Sequence, residues 1–220
     1  MARIGPVAAS KLRENVYNVL RDAFTTGAFA PGDTLSLRDL ADQLGTSLTP
    51  VREAVRRLVA EGALVDTPSR TVQVPPFDAD RMRDLKSARL ALEGLVLDLA
   101  LDRMEAGTPG DLAAILDAPS QAAPGLPDLQ TNHAFHFRLY RESRSEVLLP
   151  MIEALWLQYG AYLNLIMHHE NAPAGEEHLH HRQIVAALRA GDSAAAHAAL
   201  RADIERSFRV VAAEREDHDA

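Results

Sequence analysis

Thr49, Arg52, Glu53 and Arg56 fall on one side of a helical repeat whose other side is Val51, Ala54, Val55, Leu58 and Val59. Hydroxyl and guanidinium groups at that spacing line an exposed helix face. They are the donors that meet phosphate oxygens and base edges when a helix lies in the DNA major groove. Any amphipathic helix pair also presents a solvated polar face, so these residues alone leave DNA binding and a plain surface helix equally open.

The preceding segment has the parts needed to position such a helix. Leu37, Leu40, Ala41 and Leu44 form one apolar face, and Ser36 with Asp39 makes a capping box at its start. Gly45 ends that helix, because the chain there needs the left-handed backbone glycine tolerates. Ser47 stands where the next helix is capped, and Pro50 falls in its first turn, where a missing N–H costs nothing. Two helices around a glycine turn make a helix-turn-helix. A further helix over 10–27 precedes it. Residues 63–67 and 71–75 read as two short strands around Pro68-Ser69-Arg70, a hairpin or wing. Pro75-Pro76 forbids helix and marks a boundary between domains at 1–75 and 76–220.

Beyond that boundary the chain reads as all-helical, with helices over 78–104, 129–143, 146–169, 173–190 and 193–213. Gly107–Pro127 is interrupted by prolines and glycines, with a turn or two of helix at 111–116; it suggests a short cover or a mobile lid. The fold class is therefore mainly α, a winged helix-turn-helix followed by a helical bundle. There is no cysteine, which excludes disulfides and thiolate chemistry. The absence of a long apolar run predicts a soluble, cytoplasmic chain with no membrane partner. The net charge of −8 is unevenly spread: residues 1–75 carry 9 Lys/Arg against 8 Asp/Glu, while 76–220 carry 14 against 23 and all nine histidines. A near-neutral DNA-binding part relies on specific contacts or dimerisation rather than bulk charge. Arg89 falls inside the apolar stripe of the 78–104 helix, where a buried guanidinium needs an anion. Glu93, four residues on, is one source; a bound carboxylate is another.

The words of the sequence resemble the GntR family of bacterial transcription regulators, in its FadR-like branch with an FCD effector domain. GAFAPGDTL is similar to the family's G-x-L-x-P-G-x-x-L, and LTPVREAVRRLVAEGAL to its R-T-P-V-R-E-A-L-x-x-L-x-x-E-G-L. RLALE, FHFRL and HRQIVAALRAGD resemble the words of the helical domain. The resemblance implies a homodimer on a palindromic double-stranded operator, controlled by a small-molecule effector. It carries DNA contacts to Arg38, Ser47, Thr49 and Arg52, of which Arg52 can grip guanine for about 1–3 kcal/mol of discrimination. It also makes Arg89 and Asn132 candidates for a carboxylate effector. Two departures stand out: Leu48 occupies a usual arginine position, and Thr71 the wing glycine. Leu48 can touch a thymine methyl but cannot replace a guanine contact, so the operator preference should be shifted.

The same resemblance points to a divalent-metal set at Asn132, His136, His181 and Asp203, in which Asn132 stands where the family usually has a carboxylate and Asp203 where it usually has a histidine. The spacing is compatible: Asn132 and His136 share a helix face, while His181 and Asp203 lie ten residues before and eleven after the Gly191-Asp192 turn. Two imidazoles and one carboxylate suit Zn, Ni, Mn or Fe. A hydrogen-bonded polar cavity without metal is the competing reading, and His178 is a substitute ligand. The expected function is a transcription regulator, a repressor released by a small organic acid. Its rivals are a regulator in which the ion itself is the effector and a metal-dependent enzyme; no nucleophile motif supports the enzyme.

Overall fold

The computed structural model of the chain describes residues 9–67, 71–120, 122, 128–167 and 178–218. Its elements run α1 (Ala9–Thr25), β1 (Thr34–Leu35), α2 (Leu37–Gln43), α3 (Leu48–Ala60), β2 (Val65–Asp66), β3 (Val72–Gln73), α4 (Ala79–Arg103), α5 (Thr108–Asp117), α6 (Leu129–Arg141), α7 (Leu148–Met167), α8 (Leu179–Ala190) and α9 (Ser193–His218). Among the described residues no helix is long and apolar enough to cross a membrane.

The N-terminal part is three helices and a small sheet. Val16, Leu20 and Phe24 of α1 pack on Leu40 and Ala41 of α2 and on Val51, Ala54, Val55 and Leu58 of α3. The α2 and α3 positions are those the periodicity marks. On α1 the repeat Leu12, Val16, Val19, Leu20 and Ala23 predicts a different stripe. The helix instead buries Val16, Tyr17, Leu20 and Phe24 and leaves Leu12 and Val19 exposed. Ser36 Oγ accepts from Asp39 N at 3.3 Å, and Gly45 turns the chain at φ 59°. Ser47 sits at the N-cap of α3, yet its side chain makes no capping bond there. The wing has a third strand beyond the expected hairpin: the antiparallel order is β1-β3-β2, with Leu35 opposite Val72 and Val65 opposite Gln73. β1 has two residues and no alternating pattern, so only its distant partner defines it. The wing turn at 68–70 lies outside the described residues.

The C-terminal part packs α4–α9 around Trp156, Tyr140, Phe135, Phe137 and Leu97. Asp78 Oδ1 caps α4 by accepting from Asp80 N and Arg81 N. The buried face of α4 runs Met82, Leu85, Arg89, Glu93, Val96, Leu97 and Ala100. The apolar repeat Leu85, Ala88, Leu92, Leu95, Val96 and Leu99 predicts a different stripe: of these only Leu85 and Val96 are buried and Leu95 is exposed, while an ion pair occupies the middle of the buried face. Arg89 lies inside the face as its spacing predicts, and the pair is tolerated there because each charge neutralises the other inside the core. α5 is longer than its expected turn or two. Pro109 suits its first turn, and buried Thr108 anchors it by donating to Glu142 at 3.0 Å. Of the expected 146–169 and 173–190 helices, positions 168–169 and 173–177 lie outside the described residues, as does most of the proposed lid beyond 120.

α7 joins the two parts. Leu157 and Ala161 belong to the N-terminal core, while Trp156 and Tyr159 belong to the bundle core. Gly160 presses directly on α1: a Cβ there would lie 2.1 Å from the Phe24 carbonyl oxygen. Gln158 donates to Glu61 O at 3.0 Å, and Arg81 donates to both Gly62 O and Gln158 Oε1 at 2.9 Å.

Candidate metal centre and nucleic-acid interface

His136 comes from the middle of α6, His181 from the first turns of α8 and Asp203 from the middle of α9. The α8–α9 turn at Gly191, φ 67°, folds the last two helices back on each other. That brings Asp203 beside His181 despite their separation in sequence. His136 Nε2 lies 3.1 Å from His181 Nε2 and 3.1 Å from Asp203 Oδ2; His181 Nε2 lies 3.4 Å from Asp203 Oδ1. Both imidazoles are buried, at 0% and 1% exposure. The three residues form the one group of this kind found among the described residues.

The donor set fits a divalent ion. Bonds of about 2.1 Å at roughly 90–110° separate neighbouring ligand atoms by about 3.0–3.4 Å. The observed spacings fall in that range. Burial pushes His136 down, toward the neutral imidazole that ligates. Burial pulls Asp203 upward, but the facing His181 and hydrogen bonds from both histidines outweigh it and hold its carboxyl well below the usual range. Asn132 sits one turn before His136 and is half-buried. His178 is placed behind the site: its Nδ1 lies 3.0 Å from the Nδ1 of His181, on the far edge of that ring. His133 points away, stacking on Phe137 at 4.3 Å and meeting Trp156 edge-on; burial lowers it to about 4.

A second buried layer supports this centre. Arg89 is ion-paired with Glu93, Nε to Oε1 at 2.5 Å and Nη2 to Oε2 at 3.3 Å. Its guanidinium also lies over Trp156 at 4.4 Å and Tyr159 at 4.9 Å. Glu93 accepts from Trp156 Nε1 at 3.2 Å and from the Tyr140 hydroxyl, which in turn meets His136 Nδ1 at 3.0 Å. Glu93 thus supplies the anion Arg89 needs. Tyr140, Trp156 and this connection were not picked out from the sequence. The signal was present for Tyr140, which continues the Asn132–His136 face by another four residues.

In the N-terminal part Arg38, Ser47, Thr49 and Arg52 are all exposed, as is Arg56. Among the described residues neither Arg38, Arg52 nor Arg56 has an ion-pair partner. Glu53 differs from its expected place on the outer face. It is half-buried and pairs with Arg13 of α1 at 3.0 Å, which leaves the face to Thr49, Arg52 and Arg56. Leu48 opens α3 with 38% exposure, large for a leucine without a partner surface. Thr71 does not extend from the wing: its hydroxyl meets that of Thr67 at 2.7 Å, clamping the base of the hairpin.

The sequence pattern of the FCD domain matches residues 84–206, and that of the bacterial regulatory proteins of the gntR family matches residues 12–74. The chain is 32% identical over 199 residues to the HTH-type transcriptional regulator McbR of Escherichia coli K12, covering 87% of this chain and 89% of McbR. It is 25% identical over 195 residues to the HTH-type transcriptional repressor GlaR of the same organism, covering 84% and 89%. The solved structure of E. coli McbR/YncC superposes with a TM-score of 0.85 at 28% identity, covering 93% of this chain and 98% of that one. The named relatives are regulators of transcription, not enzymes.

Proposed function

The chain belongs to the GntR family of bacterial regulatory proteins with a C-terminal FCD domain, and from that premise we propose that it is a homodimeric repressor released from a palindromic operator by a small carboxylate bound at a divalent-metal centre. It is a DNA-binding transcription regulator; the homodimer, the palindromic operator, the repressor role, the carboxylate and the metal are the proposal. The observation that carries the proposal is the convergence of His136, His181 and Asp203 from three helices in a buried site.

A divalent ion held by these residues would supply a Lewis-acid centre with open positions for a carboxylate. Asn132, a turn away, offers an amide to the same acid. Arg89 is already matched by Glu93, so recognition of the acid falls to the centre itself rather than to Arg89. In the N-terminal part, Arg52 and Thr49 at the start of α3 read base edges, while Arg38 and Ser47 hold phosphates. Leu48 takes a thymine methyl. α7 supplies the coupling. It touches the layer behind His136 through Trp156 and the N-terminal core through Leu157, Gly160 and Ala161. An acid that favours one packing of the bundle therefore biases the placement of the reading helices, and with it the spacing of the two half-sites.

The test begins with an operator selected from randomised palindromes and followed by fluorescence anisotropy. Release should require both a divalent ion and a carboxylate, and should be lost in His136→Ala. Release by the ion alone would instead make the metal the effector. If elemental analysis finds no Zn, Ni, Mn or Fe and chelation leaves acid-driven release intact, the metal centre is excluded. Leu48→Arg should change the preferred half-site; unchanged preference and affinity would place that residue away from DNA.

A further inference from the structure

Arg52, Arg56 and Arg57 all stand on α3, and the fold itself engages Arg57. The Arg57 guanidinium lies 3.6 Å from the centre of the Tyr17 ring, and its Nε donates to Glu61 at 2.9 Å. The Tyr17 hydroxyl donates to the other Glu61 oxygen at 2.8 Å, so this arginine closes a knot between α1 and the end of α3. Arg56, its neighbour, is exposed and has no ion-pair partner among the described residues. The acid nearest to it along the helix is Glu53, three residues earlier, and Arg13 of α1 already holds that carboxylate at 3.0 Å. Arg52 lies four residues before Arg56, so two like charges share one helix face and repel. An anion outside the helix relieves that repulsion.

Placement on the helix says which anion. Val51 and Leu58 are fully buried, and the turn of about 100° per residue sets Arg56 opposite them, on the midline of the outer face. Ala60, one turn on, is exposed and too short to screen it. Thr49 and Arg52 stand at the end of α3 that enters the groove first. Arg56 lies about 6 Å further along the axis than Arg52 and about 10 Å beyond Thr49. In a groove about 12 Å wide and 8.5 Å deep, a long side chain set back by that much meets the wall rather than the floor. We propose that Arg56 is a further DNA contact, gripping a backbone phosphate at the edge of the major groove while Arg52 reaches the bases. It rests on α3 as the reading helix and is independent of the metal and the acid. Such a contact adds affinity on any sequence and makes binding depend on salt, because neutralising one phosphate releases about 0.9 counter-ion.

The test is fluorescence anisotropy of the full chain on its selected operator and on a scrambled duplex of equal length, over a series of potassium chloride concentrations. Arg56→Gln should weaken binding to both duplexes by the same factor. The slope of log affinity against log salt should become shallower by about 0.9 for each chain bound. Arg56→Lys should keep the slope and the preferred half-site, because a phosphate accepts a point charge where a guanine needs the guanidinium fork. Arg57→Gln removes the same charge from the next position, and should lower the melting temperature and leave the slope unchanged. An unchanged slope in Arg56→Gln overturns the proposal. So does an equal loss of slope in Arg57→Gln, which would mean a diffuse field rather than a contact. So does a new half-site preference in Arg56→Lys, the mark of a base contact. If Arg52→Gln leaves the half-site preference unchanged while Arg56→Gln loses slope, the base-reading role of Arg52 falls and the phosphate contact stands.

Discussion

Arg89 and Glu93 are both charged and both almost without solvent contact, at 2% and 0% exposure. Such a pair owes its place to completeness: attraction, hydrogen bonds and the Trp156 ring together offset the cost of removing two ions from water. Glu93 raises the already high guanidinium pKa of Arg89 against the opposing effect of burial. Removing one partner strands the other. Arg89→Met should therefore destabilise the chain by about 3–5 kcal/mol, read as a lowered urea midpoint. Arg89→Met with Glu93→Leu should recover part of that loss, because no uncompensated ion remains. A single variant as stable as the parent would show that Glu93 finds another cation or takes up a proton at little cost.

At the scale of elements, α5 and α6 are tied by one charged cluster. Glu142, just after α6, accepts from Thr108 at 3.0 Å and pairs with Arg138, which also reaches Asp111 at 2.8 Å. Burial pulls the Glu142 carboxyl upward, but the bonds from Arg138 and Thr108 prevail and lower it from the ordinary 4.5. The unfolded chain then binds the proton more readily than the folded one. The contribution of Glu142 is fully present above pH 4.5 and is lost as pH falls through the depressed folded value. Glu142→Gln should lower the urea midpoint at pH 7, and the gap to the parent should close as pH drops below 4.5. A gap of constant size from pH 7 to pH 3 would mean that ionisation of Glu142 plays no part.

At the scale of the whole molecule the decisive contact is Gly160 of α7 against the Phe24 carbonyl of α1. Alanine in a helix interior normally gains about 0.5–1 kcal/mol over glycine. Here the added methyl would meet rigid backbone at 2.1 Å, so α1 or α7 must shift. Overpacking of that kind costs about 1–3 kcal/mol, and the clash wins. Gly160→Ala should lower the melting temperature and also weaken release of DNA by acid, since α7 is the element both parts share. A raised melting temperature would show that the two parts do not pack through this contact.

Much of the design was legible before any coordinates. The apolar faces of α2 and α3 and the Gly45 turn are set by residue type and local spacing. A backbone obeys such signals within a few residues of chain, and distant contacts do not overrule them here. The family resemblance also carried Asn132, His136, His181 and Asp203 as one set, and the helix lengths around Gly191 made the meeting of His181 and Asp203 geometrically sound. Other features depend on which surfaces meet. β1 exists because β3 lies beside it. Glu53 lies toward α1 because Arg13 of that helix offers a partner. The buried face of α4 differs from its apolar repeat because Glu93 completes Arg89 and Trp156 and Tyr140 complete Glu93. Periodicity placed Arg89 inside the apolar stripe but left its anion open, because it sees one side chain at a time; only the tertiary structure shows Glu93, itself held by Tyr140 and Trp156, matching that charge inside the core.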